Sequence, residues 1–258
     1  MRDILTLVGK DLKNSFHKKF FLLLIFLLLF QLWFIAGSGS VEQVRKSGEL
    51  SYMAAVFSFN FFGSIVALAL NYNGVSAERE SKIMDMILMS GISKRKVYFG
   101  KICTGVLVSA VFAVLYSTAI AAFYLVLSGD FMISLQALRY IIPITVFLMI
   151  FNGLGLVLSV AMRSSKASLI ICIIVGALMM PRLFVSIIDG ISSIIGLSEA
   201  VIERIYLLSP ALILNSLNGY SDKNTVLWGL LLFAIYVIGS MITGICIFQK
   251  QDELNYGE

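Results

Sequence analysis

The residues able to do chemistry in this 258-residue chain are few, and their positions exclude more reactions than they allow. The single histidine, His17, stands between Phe16 and Lys18-Lys19 at the edge of an apolar run. That place suits contact with a lipid headgroup better than the base of a Ser-His-Asp triad. Cys103, Cys172 and Cys246 each fall inside an apolar stretch. They lack the clustering that a zinc site or a disulfide framework requires, and read as packing residues. Gly100-Lys101 is followed by Ile102 and preceded by basic and aromatic residues, so the phosphate-binding pattern G-x-x-x-x-G-K-[ST] is missing. The chain is therefore not expected to hydrolyse ATP by that route. Carboxylates stand only near the ends of the apolar runs, which leaves a proton relay or ion-coupled carrier without its usual machinery.

One segment combines charge, apolar periodicity and turn residues. From Ser76 to Lys101 it reads SAERESKIMDMILMSGISKRKVYFGK. Glu78 and Glu80 suit the positive N-terminal end of a helix. Ile83, Ile87 and the offset pair Met84 and Leu88 share an apolar face, and Ser90-Gly91 supplies a stop. Ser93 can cap the next helix, which begins with Lys94, Arg95 and Lys96 and runs into an apolar stretch. Taken by itself, the segment is either a charged loop flanking membrane spans or a short docking helix. Methionines at 84, 86 and 89 favour an adaptable docking surface.

The elements that must position this segment follow from composition. With 59% hydrophobic and 14% charged residues and a mean hydropathy of +0.93, the chain is an integral membrane protein. Runs such as Phe21 to Phe30, FLLLIFLLLF, show none of the alternation of a transmembrane barrel, and only 3 prolines interrupt the chain. The expected fold is an all-α polytopic membrane protein with six spans: 20–36, 50–70, 98–127, 140–161, 167–188 and 226–248. The fifth contains Pro181 and Arg182. The net charge of +5 follows the spans rather than forming a nucleic-acid surface. Fourteen Lys and Arg residues fall on the side of the termini and of Lys94–Lys96, and six on the other, so both termini are expected in the cytoplasm.

Residues 1–19 place Ile4, Val8, Leu12 and Phe16 on a drifting stripe, the pattern of a helix lying in the membrane interface; the bland alternative is a solvated basic tail. Between the last two spans, residues 189–224 contain ISSIIGL and IYLLSPALIL, each too short to cross. They read as two short helices at the outer leaflet, or as a seventh span from Ile202 to Leu217. Gln31, Asn60, Asn71, Tyr116, Ser117, Thr118, Asn152 and Arg182 are polar within the spans. Most are expected to bond to neighbouring helices.

Glu78-Arg79-Glu80, Asp85, the turn Ser90-Gly91-Ile92-Ser93 and Gly100-Lys101 together resemble the signature of type 2 ABC transporter permeases. Its usual form is E-R-E-x-G-T-L-E, seven or eight residues to a Pro-containing turn, then G-K opening the third span. This chain departs from it with Lys82-Ile83 in place of Gly-Thr and Gly91 in place of Pro. The resemblance implies a single transmembrane domain over 1–258, with an elbow helix at 1–19, a cytoplasmic coupling segment at 73–97 and an extracellular segment at 189–224. It also implies a plasma-membrane permease that binds no cofactor itself. Its partners would be a second copy or sister permease, membrane lipids and a cytoplasmic ATP-binding subunit carrying ATP and Mg. Glu78, Glu80, Ile83, Asp85, Ile87 and Gly91 would form the coupling helix that docks on that subunit. In the family, spans two and five line the pathway. Asn60 then becomes a substrate-facing side chain, unless it makes an interhelical hydrogen bond, and Asn152 a second pathway candidate. The implied activity is ATP-driven export of a hydrophobic or amphipathic substrate such as a peptide, antibiotic or lipid-like molecule. The rival is a non-transporting membrane sensor or scaffold that docks a cytoplasmic regulatory partner.

Overall fold

The computed structural model describes residues 2–16, 18–198 and 223–250, together with 201, 202, 205, 206, 209 and 214. Among these, no strand occurs. Five helical segments are long and apolar enough to cross a membrane: Lys18–Gly37, Tyr52–Glu80, Lys94–Ser128, Phe131–Ala161 and Val226–Lys250.

The first helix, α1 (Arg2–Ser15), is amphipathic but turns Leu7, Val8 and Asp11 inward. Leu7 lies close to Gly100, where a Cβ would stand 3.7 Å from it, so the helix rests on the start of the third span. The first span, α2 (Lys18–Gly37), has 20 residues and a length of about 30 Å, which matches the hydrocarbon thickness. A short helix not foreseen in the sequence, α3 (Ser40–Ser47), follows between Gly39 and Gly48, both with left-handed backbone.

The second span is interrupted. It begins as α4 (Tyr52–Ser58), leaves helical geometry at Val56, passes through a π-helical turn at Phe59–Gly63 and continues as α5 (Ser64–Asn71). Backbone groups freed inside a membrane need partners, and Gln31 of α2 supplies them. Its Nε2 donates to the Ala54 carbonyl at 2.8 Å, and its Oε1 accepts from Ser58 N–H at 2.9 Å and from the Tyr116 hydroxyl at 3.1 Å. The chain then turns into two short helices, α6 (Ser76–Glu80) and α7 (Ile83–Met89). The third span, α8 (Lys94–Ser128), is 35 residues long, and a further short helix, α9 (Phe131–Gln136), leads through a 3-10 turn into α10 (Ile141–Ala161).

The fifth span differs from the one continuous span expected over 167–188. It is a pair, α11 (Ser165–Leu178) and α12 (Pro181–Ile195), with the axis turning by 66° between them. Pro181 explains the break: it forces Met180 into extended backbone and opens a new helix at its first position. At 14 residues, α11 is about 21 Å long, too short to cross alone, so the described residues hold five spans, or six if the bent pair is one. The last span is α13 (Lys223–Lys250). The first outer piece expected in 189–224, ISSIIGL, is the end of α12 rather than a separate short helix; the second, IYLLSPALIL, and the alternative span Ile202 to Leu217 lie mostly outside the described residues, as do His17, Glu203 and Arg204.

A large apolar core joins α2, α4, α5, α8 and α10, with Phe20, Phe59, Phe112, Phe147 and Phe151 at its centre. A second, smaller core sits at the end of the bundle that carries α7. It is built from Leu7, Val75, Met84, Val97, Tyr98, Leu156, Val160 and Phe248. Close packing there depends on Gly244, since a Cβ at that position would collide with the Tyr98 ring.

Candidate functional site

Glu78, Arg79 and Glu80 are consecutive on α6, so their side chains leave the helix about 100° apart and each reaches a different neighbour. Glu78 points inward. Its Oε1 lies 2.8 Å from Lys101 Nζ of α8, which also stands 3.0 Å from Asp11 Oδ2 of α1. The lysine side chain is only 7% exposed, so this is a buried triad tying three helices together. Lys10, 3.9 Å from the same Glu78 oxygen, adds a looser contact at the rim.

Arg79 takes the second direction. It donates to the Val160 carbonyl at 2.6 Å, at the end of α10, and its guanidinium lies 5.3 Å from the centre of the Phe248 ring on α13. Glu80 takes the third: its Oε2 accepts from the Ser165 amide at 3.1 Å and the Ser165 hydroxyl at 2.6 Å, at the N-terminus of α11. A carboxylate there meets unsatisfied helix amides and the positive end of the helix dipole. The N-terminus of α6 is itself held from outside, because Ser159 Oγ of α10 accepts from the Val75 and Ser76 amides, both at 3.0 Å. Three adjacent residues thus fasten α6 to α1, α8, α10, α11 and α13.

From this hub the chain enters α7 through Lys82, whose φ of 58° is the one left-handed backbone outside glycine among the described residues. The family signature prefers glycine here, which adopts that geometry without steric cost. Met84 is 2% exposed in the second apolar core, and Ile87 and Leu88 pack partly against it. The opposite side of α7 carries Asp85, Met86 and Met89, with Met86 70% and Met89 87% exposed. Ile83 stands at its exposed edge. Gly91, with φ +84°, turns the chain out of α7 by donating its N–H to the Leu88 carbonyl at 3.1 Å. A proline, held near −65°, could not take that conformation, so this turn differs from the Pro-containing form.

The sequence-based docking set is therefore split. Asp85 and Ile83 remain on an outer face with Met86 and Met89, Ile87 and Met84 face the bundle, and Gly91 is the turn. Glu78 and Glu80 do not start α7. They belong to the preceding α6, because the left-handed step at Lys82 divides the segment. Ser93 has the extended backbone of a cap, but its hydroxyl makes no cap bond; only its carbonyl accepts, from Lys96 and Val97. Sequence periodicity could not find Asp11, Ser159, Ser165 or Phe248, since these meet α6 only through the tertiary fold. Gly100-Lys101 was visible as a motif, though not as the centre of an ion triad.

The two pathway candidates have different surroundings. Asn152 is 3% exposed, and its Nδ2 donates to the Gly105 carbonyl and to Ser109 Oγ, clamping α10 to α8. Asn60 sits half-buried in the π-helical turn of span two, where its Oδ1 accepts from the Tyr52 hydroxyl at 3.1 Å. The Asn60 amide thus meets the Tyr52 hydroxyl and, through Nδ2, Met53 Sδ at 3.5 Å, both of its own span, whereas Asn152 is enclosed between helices.

No curated protein matches the sequence. A family model described as ABC-2 family transporter protein matches residues 5–253. Nearly the whole chain is covered, including α1, all the spans and the hub around Glu78-Arg79-Glu80, and so the protein belongs to the ABC-2 transporter family, as a multi-pass membrane permease subunit.

Proposed function

We propose that this permease is the membrane half of an ATP-driven exporter, paired with a second copy or a sister permease and with cytoplasmic ATP-binding subunits that carry ATP and Mg. The observation that carries the reading is α7: a helix with apolar side chains held out of the bundle, fixed at its base by the α6 hub. A single amphipathic helix that exposes Met86 and Met89 while burying Met84 suits a hydrophobic partner groove. Asp85 beside them supplies a charge that can set register. The hub would pass displacement of α7 to the spans. The bias of basic residues toward the α7 end supports a cytoplasmic position for α7 and both termini, in the plasma membrane.

Apart from Arg182 and Asp189 on α12, charged residues stand near the ends of the spans, which supports an exported molecule that is hydrophobic or amphipathic, of the peptide, antibiotic or lipid-like class. Asn60 is the side chain we assign to meet it. Asn152, whose amide nitrogen bonds Gly105 and Ser109, acts there as a helix clamp. The chain itself binds no nucleotide in this scheme. The test is reconstitution in vesicles with the ATP-binding subunit. Hydrolysis should rise when the permease is present, and a cysteine at Ser81 should react with an impermeant thiol reagent only after the cells are opened. A partner with no ATPase activity would favour the sensor or scaffold role.

A further inference from the structure

The attachments of α6 are not equal in strength. Lys101, Asp11 and Glu78 are mutually buried, and Arg79 holds a backbone carbonyl by a charge-assisted bond; such ties are costly to break. The Glu80–Ser165 bonds are charge-assisted too, but they are solvent-exposed, where water can replace them, so they are the least costly of these ties to break. They are nevertheless the side-chain contact that joins α6 to the start of α11.

Above it, α11 lies on the same span as α6. Ser168 Oγ donates to the Tyr72 carbonyl, Ser64 Oγ to the Gly176 carbonyl at 2.7 Å, and a Cβ on Gly176 would stand 2.8 Å from Ile65 Cα. Helix α11 is thus laid backbone to backbone along α5. At the far end it is cut off from α12 by the 66° bend. A helix held along one side and free at its bend can follow span two as a body, provided its lower end is fastened where the motion enters.

We propose that Glu80 is a positioning residue that makes α11 follow the docking helix, rather than a docking residue itself. It would act through Ser165, as a fastening of the α11 N-terminus to α6 that can release during the cycle. This rests on the exporter reading above, since it needs motion delivered at α7.

Ser165 occupies the first position of α11, after the extended cap residue Ser164, with φ −123° and ψ 149°. Proline is tolerated there, and the residue before it is already in the geometry that proline demands. Ser165→Pro therefore removes both donors to Glu80 without breaking α11, while Ser165→Thr keeps both. The assay uses the complete complex in lipid, with spin labels at Ile170 of α11 and Val126 of α8, both exposed, in a cysteine-free background. The distance between labels is read with and without ATP and vanadate, alongside ATP hydrolysis.

In the wild type and in Ser165→Thr the trapped state should shift the distance. In Ser165→Pro the ATP-binding subunit should still bind and hydrolyse ATP, but the population of the shifted state should fall about five- to tenfold, the lower part of the range for coupled sites. An equal shift in Ser165→Pro, or no shift in a wild-type complex that hydrolyses ATP, would overturn the role of Glu80. Failure of the ATP-binding subunit to respond to the wild-type permease would instead remove the exporter reading.

Discussion

Replacing Lys101 with methionine should be the most damaging single change at the base of α7. The substitution is close in volume, so little of its effect comes from packing. Its effect is electrostatic. Lys101 Nζ stands 3.0 Å from Asp11 and 2.8 Å from Glu78, and the exposures of the three side chains are 7%, 8% and 13%. Removing the cation leaves two mostly buried carboxylates with only the rim contact of Lys10 to Glu78 beside them. Breaking a buried pair in this way costs about 3–5 kcal/mol, because an uncompensated charge remains. For a chain of this length each kcal/mol lowers the melting temperature by roughly 2–4 °C, so a fall of roughly 6–20 °C is expected. Thermal unfolding of the purified permease in detergent, followed by loss of the folded peak on size exclusion, measures it. Asp11→Asn with Glu78→Gln in the same chain should restore most of the loss, since no buried charge is then left. A Lys101→Met melting point within about 2 °C of wild type, or a triple variant no more stable than the single one, would refute the triad as the source of stability.

Three further outcomes follow from the same structure. Lys82→Gly should raise the melting temperature by a few degrees, since relief of a left-handed backbone, worth roughly 1–2 kcal/mol, exceeds the entropy cost of glycine, about 0.5–1 kcal/mol. Gln31→Leu removes the acceptor of the Ser58 amide, at about 1–3 kcal/mol for a buried group, and leaves the Ala54 carbonyl only the longer bond from the Tyr124 hydroxyl at 3.4 Å; hydrogen exchange at residues 53–58 should quicken while the far spans stay protected. Gly176→Ala should destabilise by about 1–3 kcal/mol, because its Cβ would press on the Ile65 backbone, whereas Gly190→Ala, with open space around it, should not destabilise in the same melting assay.

The spans were legible because a bilayer imposes one rule on all of them: about 20 apolar residues, which Lys18–Gly37 and Ile141–Ala161 satisfy almost to the residue. The break of the fifth span was visible as Pro181, but its angle was not, since a proline marks the place of a bend and packing sets its size. The division of α6 from α7 was missed for a local reason. Lysine carries no signal for positive φ, and only the glycine preferred by the family at that position marked it. Periodicity placed Ile83 and Ile87 on one face, but an isolated seven-residue helix has no way to announce which face is inside. The second apolar core decided that, by taking Met84, Ile87 and Leu88 and leaving Met86 and Met89 outside. The ties of Glu78, Arg79 and Glu80 join residues 23 to 169 positions apart, and nothing in one sequence specifies which of these distant residues will meet.

The central claim is that α7 receives the motion of an ATP-binding subunit, and its outer face offers the cleanest test. Met86 and Met89 are 70% and 87% exposed, so Met86→Asp with Met89→Asp should leave the fold and melting temperature of the isolated permease unchanged. In the reconstituted complex the account predicts that the hydrolysis rate drops to that of the ATP-binding subunit alone. Full stimulation of hydrolysis by the doubly substituted permease would contradict it.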